Sequence, residues 1–416
     1  MPDKDLLKNH LPAGMTMRRF LVAGYGPTIL VSFGFGTVIP MLAIQALALG
    51  ANTGQAALVA ALVGVGHLIA DLPAGALTSR FGERRALAGA CIIDAAALCA
   101  VFFTHNLWIF ALLVFIHGLT GSVLSLARQT YLTVTVPIKW RARAMSSLGG
   151  VFRVGSFLGP LAGAVVMQRY GLTSIFLLAG AMCIFAAAAT MAMPDTTTTN
   201  EKTKTGAAPD VTRNRTISIW SILRVHRHTL LTIGWGALAV SLVRSARQVI
   251  IPLWCDAHGI TPAITNLIYA VSLGAEVMLF FPGGIIMDRM GRWWVTVPTM
   301  IIMSSVLAAL PLAHSTWLIV ALSFTLGIGN GLSSGIIMTL GADVSPSVGK
   351  PQFLAGWRVF SDIGASAGPL IISLVTAVAS LGMSALTLGI IGWLGAFQLA
   401  RSIPRSGQLP PSEPKE

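Results

Sequence analysis

The stretch Phe281–Trp294, "FPGGIIMDRMGRWW", has a near-copy at Leu72–Arg85, "LPAGALTSRFGERR". Pro73 and Pro282, Gly75 and Gly284, Arg80 and Arg289, and Gly82 and Gly291 all stand 209 residues apart. The same offset aligns Gly118 with Gly327 and Pro137 with Pro346. It also aligns Gly159–Pro160 of "GSFLGPLAG" with Gly368–Pro369 of "GASAGPLII". One shared Gly-Pro pair arises by chance, but a single offset held across separate segments marks an internal repeat.

What is repeated follows from the surrounding composition. Of the 416 residues, 54% are hydrophobic and 10% charged, with a mean hydropathy of +0.76. A soluble domain carries about 25% charged residues. A bilayer crossing takes roughly 20 apolar residues, and inside lipid runs of this length satisfy their backbone only as helices. Twelve spans are predicted: 20–48, 55–79, 86–104, 107–136, 144–167 and 172–193, then 229–257, 264–288, 293–313, 316–345, 352–379 and 383–402. The fold class is therefore an all-α membrane protein of two pseudo-symmetric six-helix bundles. They occupy residues 1–193 and 229–403, joined by a cytoplasmic linker, 194–228, and followed by a cytoplasmic tail, 404–416. The linker's "PDTTTTNEKTKTGAAPDVTRNR" is polar and poor in aromatics, which predicts an unfolded tether. Its end, "ISIWSILRVHRH", suits a short helix on the membrane surface. Two halves of the same orientation imply a pseudo-two-fold axis along the membrane normal, with the route in the cleft between them.

The net charge of +13 first suggests nucleic acid. Its distribution argues against that partner. With both termini inside, 22 of the 28 basic residues fall in cytoplasmic segments and only Arg169 in an outside loop, the bias that orients a membrane protein. The basic residues are spread over short segments and not gathered on one face. The four cysteines show no CxxC spacing or disulfide framework. No Walker loop or metal-ligand pattern appears, so neither a cofactor nor a metal is expected. Arg18–Arg19 before an apolar run resembles a signal peptide, but the run is long and lacks an A-x-A site. It reads as an uncleaved first span.

With the repeated loops and the span-5 sequence in view, the chain resembles the major facilitator superfamily over nearly its whole length. That family's loop signature after the second span is G-x-x-x-D-R-x-G-R-[RK], with a twin after the eighth. "GIIMDRMGR" matches it fully and "GALTSRFGERR" in part, with Ser79 where the second copy has Asp288. "GSFLGPLAGA", which includes Gly155, Gly159 and Pro160, is similar to the G-x-x-x-G-P-x-x-G-[GA] pattern of the 12-helix drug:proton antiporters. In span 11, Gly368–Pro369 is its repeat partner. One departure stands out: those antiporters carry an arginine four residues before a span-4 glycine, and here Val114 precedes Gly118. The acids in span 1 that mark the aromatic-acid uptake branch are also absent.

The small residues predict structure directly. Gly75 and Gly284 would let helices approach closely, and Gly82 and Gly291 would form the tight turns. Arg80, Arg289 and Arg292 would pin these loops at the cytoplasmic surface. By the family's symmetry Asp288 would face the start of span 5, near Arg141 and Arg143, and latch that side against the helix dipole. Ser79, without charge, would make a weaker latch at the start of span 11.

Ionisable residues inside spans are costly, at about 2.5–3.5 kcal/mol each near the centre, and face protein or water. Asp71, Arg128 and Arg153 all count to roughly 12 Å from the inner face at 1.5 Å per residue, which predicts one cluster. Arg358 and Asp362 are one turn apart, and Asp343 is placed to pair with Arg358. The resemblance puts Arg128, Arg244, Arg247, Gln248 and Asn330 on cavity-lining helices, with Phe35 among the aromatic candidates. Asp362, then Glu276, then Asp71 are the candidate proton carriers, with Arg153, Arg358 and Asp343 as their charge network. Asp94, on an outer span, reads as a structural pair or an oddity at the lipid edge. His67 and His117 come to similar depths in spans 2 and 4. "GLSSG", Gly331–Gly335, matches a nucleophile motif but lies within a predicted helix, so it reads as helix packing.

These residues support a proton-coupled secondary transporter working by alternating access and exporting an amphipathic small organic molecule. A monomer in the bacterial inner membrane is expected. An uptake symporter for an organic anion is the alternative, since the span-4 and span-7 arginines suit a carboxylate. A lipid flippase or membrane enzyme is the third reading, and the enzyme lacks a catalytic constellation.

Overall fold

The computed structural model of the chain describes residues 17–136, 138–192, 224–346 and 349–405. Most of the predicted tether and surface helix, and residues 406–416 of the tail, lie outside these. Among the described residues twelve helical segments are long and apolar enough to cross a membrane.

In chain order the helices are α1 (Met17–Val38), α2 (Leu42–Ala48), α3 (Thr53–Phe81), α4 (Glu83–Phe103), α5 (Leu107–Thr135), α6 (Ile138–Tyr170) and α7 (Ser174–Met191). They continue with α8 (Trp235–Ala257), α9 (Pro262–Met290), α10 (Arg292–Ala309), α11 (Thr316–Leu332), α12 (Ile336–Asp343), α13 (Lys350–Val378) and α14 (Leu381–Ser402). Several starts are set by side-chain caps: Asn106 accepts from the amides of Trp108 and Ile109, Ser315 from Leu318, and Ser380 from Met383. Gly82 and Gly291, between helices, sit at φ 80° and 98°, a region closed to most side chains.

The seventh predicted span begins with a π-helical stretch, Leu230–Gly234, and the ninth ends in a 3₁₀ turn, Leu310–Leu312, while two others are interrupted within their length. The first, predicted continuous over 20–48, is interrupted by a 3₁₀ turn at Ile39–Met41, centred on Pro40, which has no amide to donate. The tenth, predicted continuous over 316–345, breaks at Ser333–Gly335. There the Ser333 hydroxyl donates to the Gly329 carbonyl at 2.8 Å, and Gly335 adopts a left-handed φ of 79°. "GLSSG" is thus a helix break, not only the packing motif expected of it.

The contacts group the chain into two compact units, Met1–Ile39 with Ile69–Pro209, and Pro40–Leu68 with Asp210–Glu416. In the first, α1 packs on α6 and α7, and α4 packs on α7 and α5. Its core is made of small residues, with Ala86, Ala90, Ala127, Ala186 and Ala187 buried around Val31, Leu87 and Leu124. In the second, α8 packs on α13 and α14, and α10 packs on α14 and α11, the same scheme displaced by six spans. The second unit also holds the N-terminal part of α3, where a Cβ on Gly64 would come within 3.0 Å of the Ser366 backbone and one on Gly54 within 3.2 Å of the Ser373 carbonyl.

The repeat persists at atomic detail. A Cβ on Gly159 would strike the Phe33 carbonyl and reach 2.8 Å from the Thr37 amide; one on Gly368 would lie 2.5 Å from the Leu242 carbonyl and 2.8 Å from the Ala246 amide. Both members of each pair are 209 residues apart. Likewise Gly155 sits over the Ile29 carbonyl and Gly364 over that of Leu238. The expected close approach at Gly75 and Gly284 is not seen. A Cβ on Gly284 would meet nothing within 4 Å, and one on Gly75 only a leucine methyl at 3.9 Å. The neighbouring Gly283 makes the approach, against the backbone of Leu332.

Candidate functional site

In the second unit, α8, α9 and α11 bring a buried ionic group together. Arg247 Nη2 lies 3.1 Å from Glu276 Oε2, and Arg247 Nη1 donates to Ser272 Oγ at 2.9 Å. Asn330 Nδ2 donates to the same Glu276 oxygen at 2.5 Å, and the guanidinium stands 5.7 Å over the Tyr269 ring. Arg247, Glu276 and Asn330 are only 3%, 7% and 7% exposed. Glycines set this geometry. A Cβ on Gly331 would press on Glu276 Cα at 2.9 Å, and one on Gly327 would enter the Ser272 carbonyl. The two glycines, four apart on α11, therefore seat on Ser272 and Glu276, four apart on α9, and carry Asn330 to the carboxylate. Removing one partner of such a pair strands the other's charge, which costs about 3–5 kcal/mol.

Arg244, one turn before Arg247 on α8, spans to the helix break. Its Nη2 donates to the Ser333 carbonyl and, at 2.9 Å, to the Ser333 hydroxyl. A guanidinium thus covers an acceptor at the end of α11, where helix carbonyls lose their partners. The Asn330 Oδ1 and Ser334 Oγ atoms at this break are buried without hydrogen-bond partners. Gln248 is half-buried on the same helix.

The first unit contains a centre that sequence reasoning undervalued. Asp94 is fully buried, not at the lipid edge. His117 Nδ1 lies 2.7 Å from Asp94 Oδ1, Thr120 Oγ1 lies 2.8 Å from it, and the Cys183 thiol reaches Asp94 Oδ2 at 3.4 Å. The Phe35 ring packs on the His117 ring at 4.4 Å. A signal for this was present: Asp94 falls four residues after Ala90 and three before Ala97, on the small-residue face of α4, while Ile92 and Ile93 take the exposed face.

The other predicted residues have contacts of their own. Asp71 accepts a short hydrogen bond from Ser122. Arg128 lies over the Phe152 ring at 5.2 Å and lines a small pocket with Thr28, Val31 and Tyr131. Arg153 Nη1 donates to the Gly149 carbonyl at 3.4 Å. Arg358 Nε and Asp362 Oδ2 stand 3.6 Å apart along α13. Asp343, expected beside Arg358, instead accepts from Arg292 Nε at 2.8 Å, because the glycine turn at Gly291 aims the first residue of α10 at the end of α12. Asp288 is exposed and 4.0 Å from Arg292 Nη1. The Ser79 hydroxyl donates to the Ala76 carbonyl of its own helix at 2.9 Å. Among the described residues no three His, Cys, Asp or Glu side chains are grouped to hold a metal ion.

The chain is similar to multidrug resistance protein MdtG of Enterobacter lignolyticus, strain SCF1, at 26% identity over 177 residues, 42% of each chain. MdtG of Dickeya zeae, strain Ech586, is 29% identical over 154 residues, 36% of this chain and 38% of that one. The match thus spans less than half the length of these relatives. Among solved structures, a D-xylose-proton symporter superposes with a TM-score of 0.70 at 14% identity, over 93% of this chain and 98% of that one. A peptide transporter POT in complex with sulfate gives 0.72 at 12% identity, over 97% and 100%. The structural likeness concerns the fold alone. The family model of the Major Facilitator Superfamily matches residues 28–254 and 233–416. With nearly the whole chain matched and, among the described residues, twelve helices long and apolar enough to cross a membrane, the protein belongs to the Major Facilitator Superfamily.

Proposed function

We propose that this protein is a proton-coupled secondary transporter of the bacterial inner membrane, exporting amphipathic small organic molecules by alternating access, with both termini cytoplasmic. The observation that carries the coupling is the buried Arg247–Glu276 pair, bridged by Asn330 beside a broken helix. A carboxylate held by an arginine in low dielectric keeps its charge; once the arginine moves away, burial favours the protonated form. Glu276 is therefore the proton carrier in this reading, ahead of Asp362 and Asp71. Broken helices near the midplane of transporters place free backbone groups where a cargo binds. Support for export comes from the two relatives described above, both of which bear the name multidrug resistance protein.

The test is a strain lacking this gene, challenged with a panel of lipophilic cations, dyes and organic acids, with and without a plasmid copy. Export predicts restored resistance and lower cellular dye in the complemented strain. Higher accumulation of an organic acid only in the complemented strain would instead establish the uptake reading.

A further inference from the structure

The Asp94–His117 contact takes no part in the reading above, yet it has the makings of a second ionic centre. Its side chains are 0% and 1% exposed. Their ionisable neighbours are few. Cys91 lies one turn before Asp94 on α4, and Cys99 follows on the same helix. Cys183 on α7 bonds to the carboxylate. On α5, Arg128 and Tyr131 are eleven and fourteen residues from His117, about 16 Å and 21 Å along the helix, and Asp71 of α3 meets α5 at Ser122, five residues from His117. On α1, residues 24–38 contribute Tyr25 alone.

The hydrogen bonds around the pair fit an ionised Asp94 facing a neutral His117. His117 Nδ1, the Thr120 hydroxyl and the Cys183 thiol all converge on the Asp94 oxygens, which suits an ionised carboxylate, an acceptor only. With Nδ1–H turned to Asp94, a neutral His117 leaves Nε2 as a bare acceptor, and that atom is buried without a hydrogen-bond partner. One proton taken up at Nε2 forms an N–H bond and breaks none. It converts a buried net charge of −1 into a neutral carboxylate–imidazolium pair. The Phe35 ring, tilted 33° to the imidazole at 4.4 Å, presents an aromatic face that attracts an imidazolium more strongly than a neutral imidazole.

We propose that Asp94 and His117 form a proton-binding site in the first unit, separate from Glu276 and Arg247, with His117 Nε2 as the atom that takes the proton and Phe35 as the face that registers its charge. Its part in transport rests on the proton-coupled reading; the binding of the proton does not.

The full chain, labelled with [¹⁵N]histidine and held in lipid nanodiscs without substrate, is titrated by NMR between about pH 5 and 8. One histidine signal, missing from His117→Gln, converts from a neutral tautomer protonated at Nδ1 to the imidazolium. In Phe35→Leu the same conversion moves to lower pH, which also assigns the signal if His117→Gln fails to fold. A His117 signal that keeps one protonation state throughout overturns the proposal, as does a conversion that Phe35→Leu leaves in place. Because no substrate is present, failure here leaves export standing, and failure of export leaves this site standing.

Discussion

At Glu276 the packing of the second unit and the proposed coupling meet in one side chain. Its carboxylate accepts from Arg247 and Asn330 in a site with almost no water contact. Glu276→Ala leaves Arg247 charged and unmatched, and we expect a loss of about 3–5 kcal/mol, read from thermal unfolding in detergent. Glu276→Gln keeps an acceptor for Arg247 and cannot release a proton, so it should fold while losing coupled transport. His226, just before the membrane-crossing part of α8's span, gives a pH signature. Burial lowers its imidazole below the ordinary 6.5, against the ring of Phe353 at 5.7 Å. The unfolded chain therefore holds more protons in the window below 6.5, so stability rises with pH there and is lost as pH falls through it. Unfolding temperature should drop between about pH 7.5 and 5.5, and drop less in His226→Gln. An equal drop in both proteins would show that His226 does not carry it.

At the level of helices, adjacent glycines separate two roles. Gly283 seats α9 on the backbone of Leu332, whereas Gly284 faces open space. Gly283→Ala overpacks that contact and should cost about 1–3 kcal/mol. Gly284→Ala meets nothing and should be neutral or gain about 0.5–1 kcal/mol from reduced backbone entropy. The reverse order of unfolding temperatures would contradict the packing described. The sequence marked the right region and the wrong glycine, because a repeat offset identifies matched positions without saying which side of the helix meets a neighbour. The break at Ser333–Gly335 was hidden for a related reason: "GLSSG" is apolar enough to continue a span. What ends α11 is the local competition of the Ser333 hydroxyl for helix carbonyls together with Arg244, distant in the chain. Asp94 was misplaced because depth and span number alone assign an outer helix to lipid, while the spacing of Ala90 and Ala97 assigns the face to the core.

For the whole molecule, hydropathy and one offset made the architecture legible. Twelve spans follow from apolar length, and 209 residues relate Gly159 to Gly368 down to the carbonyls they touch, those of Phe33 and Leu242. The chemistry was less legible, since the pairs Arg247–Glu276 and Asp94–His117 form between helices whose rotation about their axes the sequence does not state. The orientation proposed from the basic residues predicts that single cysteines at Lys4, Lys202 and Lys415 all react with an impermeant reagent from the cytoplasmic side, and one at Arg169 from the outside. Reaction of Lys4 and Lys202 positions from opposite sides would break the two-bundle account. The central claim, that a buried carboxylate exchanges a proton for cargo, is tested most directly in inverted vesicles holding a respiratory pH gradient and a pH-sensitive dye. An exported compound from the resistance panel should dissipate the gradient with the natural protein and leave it intact with folded Glu276→Gln; equal dissipation by both, or none by either, would contradict the account.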